Sequence, residues 1–179
     1  MTTQEIKQLV VDYAYGCGIN PNVALAQINR ESGFDPGAIG SSGERGIAQF
    51  MPATWQRFGY GPHENAHDPN YALDAWCALM QYLLNRYGFN YRLALQGYNG
   101  GEGNVDRGTV SSAAREYARA ILATAGTDDY GNPWPGGETV SPPILAGGPA
   151  LDGQPGQTDW QTLALVGGAA LAFVLILRG

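Results

Sequence analysis

The stretch from Asp68 to Gly88 decides most of what this chain can become. Asp68 can accept hydrogen bonds from the free N–H groups that open a helix. Pro69 suits the first helical position, where its missing N–H costs nothing. Leu73, Trp76, Cys77, Met80, Leu83, Leu84 and Tyr87 then make one continuous apolar stripe, and Gly88 ends the run. A helix with so broad an apolar face has to be surrounded by other elements. The flanking sequence supplies them. Thr2 and Glu5 fit a capping box ahead of Ile6, Leu9, Val10 and Tyr13 on one helical face. Asn20 and Pro21 open a helix that runs to about Ser32 and stops at Gly33. Met51 to Phe58 reads as a short helix closed by Gly59, and Asn90 to Gly97 as another. Ser111 to Thr124 reads as a last one, with Ala114, Tyr117, Ile121 and Leu122 inward. No segment alternates as a strand would, so residues 1–126 are expected to form one mainly α domain.

The composition then changes. Residues 127–159 are crowded with glycine and proline, as in Gly131-Asn132-Pro133-Trp134-Pro135-Gly136-Gly137 and Ser141-Pro142-Pro143. Such a segment buries too little apolar surface to offset its ordering entropy, and it is expected to be an extended tether. Residues 160–179 differ again. Leu163 to Leu177 carries no charge and as a helix would cover about 22 Å, short of the ~30 Å hydrocarbon slab. Trp160 as an interfacial anchor and a snorkelling Arg178 bring it near that span, and Gly167-Gly168-Ala169-Ala170 would permit close helix contact. The expectation is a membrane-spanning C-terminal anchor, with a buried terminal helix as the alternative. The net charge of −6 and the absence of clustered Lys and Arg argue against a nucleic-acid partner. No leader of basic start and apolar run is expected at the N-terminus. Cys17 and Cys77 are the only cysteines; both fall in helical segments and are expected to be buried free thiols, with pairing left open.

Chemistry concentrates at Glu31, within Ile28-Asn29-Arg30-Glu31-Ser32-Gly33-Phe34-Asp35-Pro36. A carboxyl in the last turn of a helix meets the negative end of the dipole, and neighbours such as Phe34, Phe50 and Met51 could strip it of water. Both effects favour the protonated form, which a proton donor to a glycosidic oxygen requires.

Two further runs follow in order, Gly46-Ile47-Ala48-Gln49-Phe50-Met51-Pro52-Ala53-Thr54 and Gly97-Tyr98-Asn99-Gly100-Gly101. With the Glu31-Ser32 pair, these resemble the catalytic core of the lytic transglycosylases, the family that cleaves bacterial peptidoglycan. Tyr117, in Arg115-Glu116-Tyr117-Ala118-Arg119, resembles that family's closing tyrosine motif, and the likeness covers about residues 5–123. It implies a lysozyme-like helical domain of the goose type. It also implies cleavage of the bond between N-acetylmuramic acid and N-acetylglucosamine to leave a 1,6-anhydro end. Glu31 would act as acid and then base, without cofactor, metal or second catalytic carboxylate, the substrate's acetamido group steadying the cation. Ser32, Gln49, Tyr98 and Asn99 would orient Glu31 and the sugar, Tyr117 would support them, and Phe50 and Met51 would wall the cleft. Two departures, Ala48 for the usual Met and Gly97 for the usual Ala, are expected to loosen a sugar-contacting wall.

His63-Glu64-Asn65-Ala66-His67 matches a zinc-protease pattern, yet Gly59, Gly61 and Pro62 before it and Asp68-Pro69 after it leave barely one helical turn. A loop leading to the long helix is expected there. Other readings of the chain are a hydrolytic muramidase, a bacterial membrane-bound wall-remodelling enzyme, or an inactive structural membrane component. The order of catalytic domain, tether and anchor resembles virion-associated lytic enzymes of bacteriophages with an internal membrane. Such an enzyme would have peptidoglycan, a membrane and virion or membrane proteins as partners, and would open the wall during genome entry.

Overall fold

The computed structural model describes residues 1–132, and they are helical. Helix α1 (Thr3–Gly16) opens on the capping box, in which the Glu5 N–H donates to Thr2 Oγ1 and the Thr2 N–H donates to Glu5 Oε2. Helix α2 (Pro21–Ser32) is capped by Asn20, whose side chain accepts from the N–H groups of Asn22 and Val23. Gly33 stops α2 at a φ of 64°, left-handed backbone that favours glycine. Helix α3 (Pro52–Phe58) is followed by a 3₁₀ helix (His63–His67), where a loop was expected. Then come α4 (Pro69–Arg86), α5 (Tyr91–Gly100), α6 (Glu102–Asp106) and α7 (Ser112–Ala125). Among the described residues the only β pairing is two isolated bridges, Ile39 with Arg45 and Arg45 with Phe50.

Helix α4 is the post around which the rest is arranged. Ala72, Leu73, Ala75, Trp76, Cys77, Leu79, Met80, Leu83 and Leu84 are all buried, a wider face than the expected stripe. It is wide because α1, α3, α5 and the 3₁₀ helix all pack against α4. Helices α1 and α5 also carry the outer pair: α2 lies on α1, and α7 lies on both α2 and α5. The C-terminal end of α2 is thereby placed beside α7.

Three expectations change. Helix α5 continues past Gly97 to Gly100, so Tyr98 and Asn99 stand on a helix rather than after one. The domain also continues past Gly126. The Tyr91 N–H donates to the Asp129 carbonyl (2.6 Å), Asn20 Nδ2 donates to the Gly131 carbonyl (2.6 Å), and Arg92 pairs with Asp129. These bonds tie residues 129–131 to the Asn20 side chain at the start of α2 and to the first backbone N–H of α5, which is why the glycine-rich composition does not begin a free chain at Thr127. The remainder of the expected tether, residues 133–159, and the expected anchor, 160–179, lie outside the described residues. Among those described, no helix is long and apolar enough to cross a membrane.

The third change concerns the cysteines. Cys17, at the end of α1, and Cys77, on α4, are joined as a disulfide with Cα atoms 6.0 Å apart, so they are not free thiols. Packing of α1 on α4 brings two positions 60 residues apart within bridging range. Closing a loop of that length restricts the unfolded chain by roughly 4 kcal/mol. Denaturant titration with and without reductant should show a loss of about that size on reduction. An unchanged midpoint, or free thiols in the native protein, would show that the bridge does not form.

Candidate active site

Glu31 is the penultimate residue of α2, half-buried, and its carboxyl is pushed up to about 7. Burial is the largest cause. The hydrogen bond from Tyr117 and the charge of Arg30 act in the opposite direction, and the charge of Glu44 adds to burial. That balance keeps a large fraction of Glu31 protonated near neutrality, as a proton donor needs.

The carboxyl is aimed by a relay that crosses three helices. Trp76 Nε1 on α4 donates to Gln27 Oε1 on α2 at 3.1 Å. Gln27 Nε2 donates to the Tyr117 hydroxyl oxygen on α7 at 3.3 Å. Tyr117 Oη in turn donates to Glu31 Oε1. Each direction is forced by the one before it. The indole N–H can only donate, so the Gln27 oxygen faces Trp76 and its NH₂ faces Tyr117. The phenol oxygen accepts from Gln27 and sends its proton to Glu31 Oε1. The proton that Glu31 can give away therefore sits on Oε2. Arg30 covers the outer face of the Tyr117 ring, 5.6 Å from its centre.

Tyr98 enters from α5. Its hydroxyl donates to the Ala48 carbonyl at 2.7 Å, and its own ionisation is pushed well up by burial and by the charge of Glu31. This bond fastens the end of α5 to the loop carrying Gly46 to Gln49. The loop is held from several other sides. Ser32 Oγ donates to the Ile47 carbonyl at 2.9 Å. His67 Nδ1 donates to the Pro36 carbonyl at 3.0 Å and His63 Nε2 to the Phe50 carbonyl at 2.6 Å. Gly46 has a φ of 75°, and a β-carbon there would lie 1.7 Å from the Ala66 carbonyl oxygen. Only glycine fits against the 3₁₀ helix at that point. Gln49, itself at a φ of 49°, donates Nε2 to the carbonyls of Gly46 (2.8 Å) and Ala38 (3.3 Å).

The expected site residues thus separate. Glu31, Tyr117 and Tyr98 come together, with Gln49 on the adjoining loop. Ser32 binds that loop and not Glu31. Phe50 is buried, edge-on to Trp55 with ring centres 5.5 Å apart, so it is core and not a cleft wall. Met51 is exposed at the start of α3, and Asn99 is exposed with no side-chain hydrogen bond among the described residues. Ala48 is fully buried, and buried Gly97 faces Leu83 of α4 and Tyr87 just beyond it. One ring nitrogen of each histidine bonds a carbonyl, and among the described residues no group of three or more potential metal ligands occurs. Two surface hollows, about 410 Å³ between α1 and α4 and about 630 Å³ under the 127–130 turn, hold none of these residues.

Gln27, Trp76 and Glu44 were not anticipated as parts of the site. Gln27 carried a signal: it lies four residues before Glu31, on the face of Val23, Ala24 and Ile28, where a polar side chain must find a buried partner.

The raised pKa has a consequence for stability. Glu31 titrates at about 7 in the folded protein against 4.5 ordinarily, so between those values the folded state binds more protons. Stability is full below pH 4.5 and declines as pH rises through about 7, by roughly 3 kcal/mol in all. Glu31→Gln cannot ionise and keeps an acceptor for Tyr117. Thermal melting should find this variant more stable than wild type at pH 8, by up to about 3 kcal/mol, with the advantage fading by pH 4. A gap independent of pH would mean that Glu31 is not held in this way.

Residues 8–121 match the transglycosylase SLT domain family. Three solved structures share the fold. An inactive mutant of the lytic transglycosylase Slt from Pseudomonas aeruginosa gives a TM-score of 0.58 at 20% identity, over 65% of this chain and 22% of that one. The 70 kDa soluble lytic transglycosylase from Escherichia coli gives 0.58 at 23%, over 70% and 25%. A complex of the 70 kDa soluble lytic transglycosylase with bulgecin A gives 0.60 at 24%, over 66% and 23%. This chain spans about a quarter or less of the length of those proteins, and at such identities the likeness establishes the fold. The family match takes in all the relay residues, Gln27, Glu31, Trp76 and Tyr117, and by it the chain belongs to the transglycosylase SLT domain family.

Proposed function

We propose that this chain is a peptidoglycan lytic transglycosylase with Glu31 as its acid and base. The observation that carries the reading is the half-buried carboxyl, raised to about 7 and aimed by Tyr117. Glu31 Oε2 gives its proton to the oxygen linking N-acetylmuramic acid to N-acetylglucosamine, and the bond from C1 to that oxygen breaks. The acetamido group of the muramyl sugar shares the positive charge left at C1. The Glu31 carboxylate then takes the proton of the C6 hydroxyl, whose oxygen bonds to C1. Glu31 ends protonated, no water is consumed, and the product carries a 1,6-anhydro end. Similarity to solved lytic transglycosylases supports this reading.

Digestion of purified peptidoglycan followed by mass spectrometry of the ends should find anhydro-muramyl products. Reducing ends would mark a muramidase that uses water. Glu31→Gln should abolish turnover, and wild-type kcat/KM should fall as pH rises through about 7, where the donor form disappears. Lysis by Glu31→Gln at the wild-type rate would exclude the acid role.

The layout of the chain supports a deployment at a membrane, carried in a phage particle for local wall opening during genome entry. The tether and the apolar segment 160–179 are the features that favour it, and both are read from sequence. The full chain should float with liposomes, while a chain ending at Asn132 stays at the bottom of the gradient. Purified particles should contain the protein. Its presence in uninfected cells alone would favour a bacterial wall-remodelling enzyme instead.

A further inference from the structure

Beside Glu31, the loop that carries Gln49 holds an arrangement that neither the relay nor the proposed reaction uses. Gln49 cannot turn its amide around: Nε2 is fixed by the carbonyls of Gly46 and Ala38, so Oε1 is committed to the opposite side. Another acceptor lies near it. Glu44 Oε2 lies 2.3 Å, and Gln49 Oε1 2.9 Å, from the point where a β-carbon on Gly40 would sit. The two oxygens therefore crowd the same side of one glycine. Glu44 Oε2 accepts from the Ser42 N–H at 2.9 Å, and no donor among the described residues reaches Gln49 Oε1. Glu44 is half-buried and forms no ion pair among the described residues. Two acceptors on one side of a loop can share a single donor brought between them.

We propose that Glu44 and Gln49 form a paired acceptor that binds a hydroxyl or acetamido N–H of the glycan next to Glu31, with Gly40 as the residue whose lack of a side chain makes the pairing possible. The proposal rests on the transglycosylase reading and adds a substrate-binding residue to it. A saccharide offers such donors at nearly every carbon, whereas the apolar neighbours of the loop offer none. A hydrogen bond to a carboxylate is also among the stronger ones a neutral sugar can make. The charge of Glu44 reaches the acid as well. Glu31 faces Arg30 on its own helix, Tyr117 on α7, Tyr98 on α5 and Glu44 on the loop, and of these Glu44 is the one anionic group.

Glu44→Gln tests this with the full chain. The new amide can donate to Gln49 Oε1 and so satisfy the pair internally. The expected result is a melting temperature equal to or above wild type, a KM for peptidoglycan raised about tenfold, and kcat changed little. The alkaline limb of the pH profile should move to lower pH, because a negative charge that favours protonated Glu31 is gone. Gly40→Ala is the second variant. Its backbone is not left-handed, so the chain should fold, but the β-carbon would force the two oxygens apart and raise KM likewise. If both variants keep the wild-type KM and pH profile, Glu44 merely closes its own turn and the inference is overturned. A lowered melting temperature with KM unchanged overturns it as well. Failure of the transglycosylase reading shows up separately, as lysis that survives Glu31→Gln.

Discussion

The hydrogen bond from Tyr117 to Glu31 is the contact through which the whole helical arrangement acts on one carboxyl. It is the last member of a relay anchored on Trp76, a fully buried side chain at the centre of α4. Rotamer freedom at Glu31 would let the carboxyl turn toward water, where its pKa would return to the ordinary range. The relay removes that freedom by using groups whose donor and acceptor roles leave no alternative. Its members come from α4, α2 and α7, so the aim of the carboxyl depends on those three helices keeping their places. The disulfide at Cys77, next to Trp76 on α4, contributes to this indirectly, since it holds α1 against α4 while α2 rides on α1.

The second framework is the loop from Pro36 to Phe50. A segment with so little regular pairing has to be fastened by side chains, and here the fastenings come from elements on every side. Ser32 ties it to α2, Tyr98 to α5, and both histidines to the 3₁₀ helix, where Arg45 also pairs with Glu64 at 2.6 Å. Gly46 lets the loop touch the backbone of that helix at Ala66. The residues of the His63–His67 run thus hold this loop in position. Residues three apart eclipse in a 3₁₀ helix, so His63 and His67, four apart, reach different parts of the loop, at Phe50 and Pro36.

Helices were legible in the sequence wherever a cap and a stop bracketed an apolar stripe. Thr2 with Glu5, Asn20 with Pro21 and Asp68 with Pro69 all cap where their side chains suggested. The end of α5 was not legible, because Gly97 and Gly100 look like stops when α4 and α7 are unseen. Each is glycine for close packing: a β-carbon on Gly97 would press on Leu83, and one on Gly100 would meet Ala114 at 3.0 Å. Glu31 stood out by its place at a helix end and by the runs that follow. The roles of Phe50 and Ser32 did not, because a local run cannot say which side of a loop faces the core. Gln27 and Glu44 escaped for a related reason: their importance lies in what other helices and loops bring to them.

A group that must first give a proton and then take one needs a pKa close to the working pH, and no single influence on Glu31 would place it there. Burial alone would drive the carboxyl upward until it could no longer serve as a base. The Tyr117 bond and Arg30 alone would hold it ionised, with no proton to give. The net rise from 4.5 to about 7 corresponds to roughly 3 kcal/mol against ionisation, so desolvation and the Glu44 charge together exceed the opposing pair by about that much. A donor that favours the carboxylate looks counterproductive beside an acid catalyst, yet in the proposed two-step cycle it is needed once the proton has left. Tyr117 then stabilises the anion that waits for the C6 hydroxyl. Placing the phenol on Oε1 also leaves Oε2 free for both transfers, so one oxygen can serve both steps while the other stays fixed.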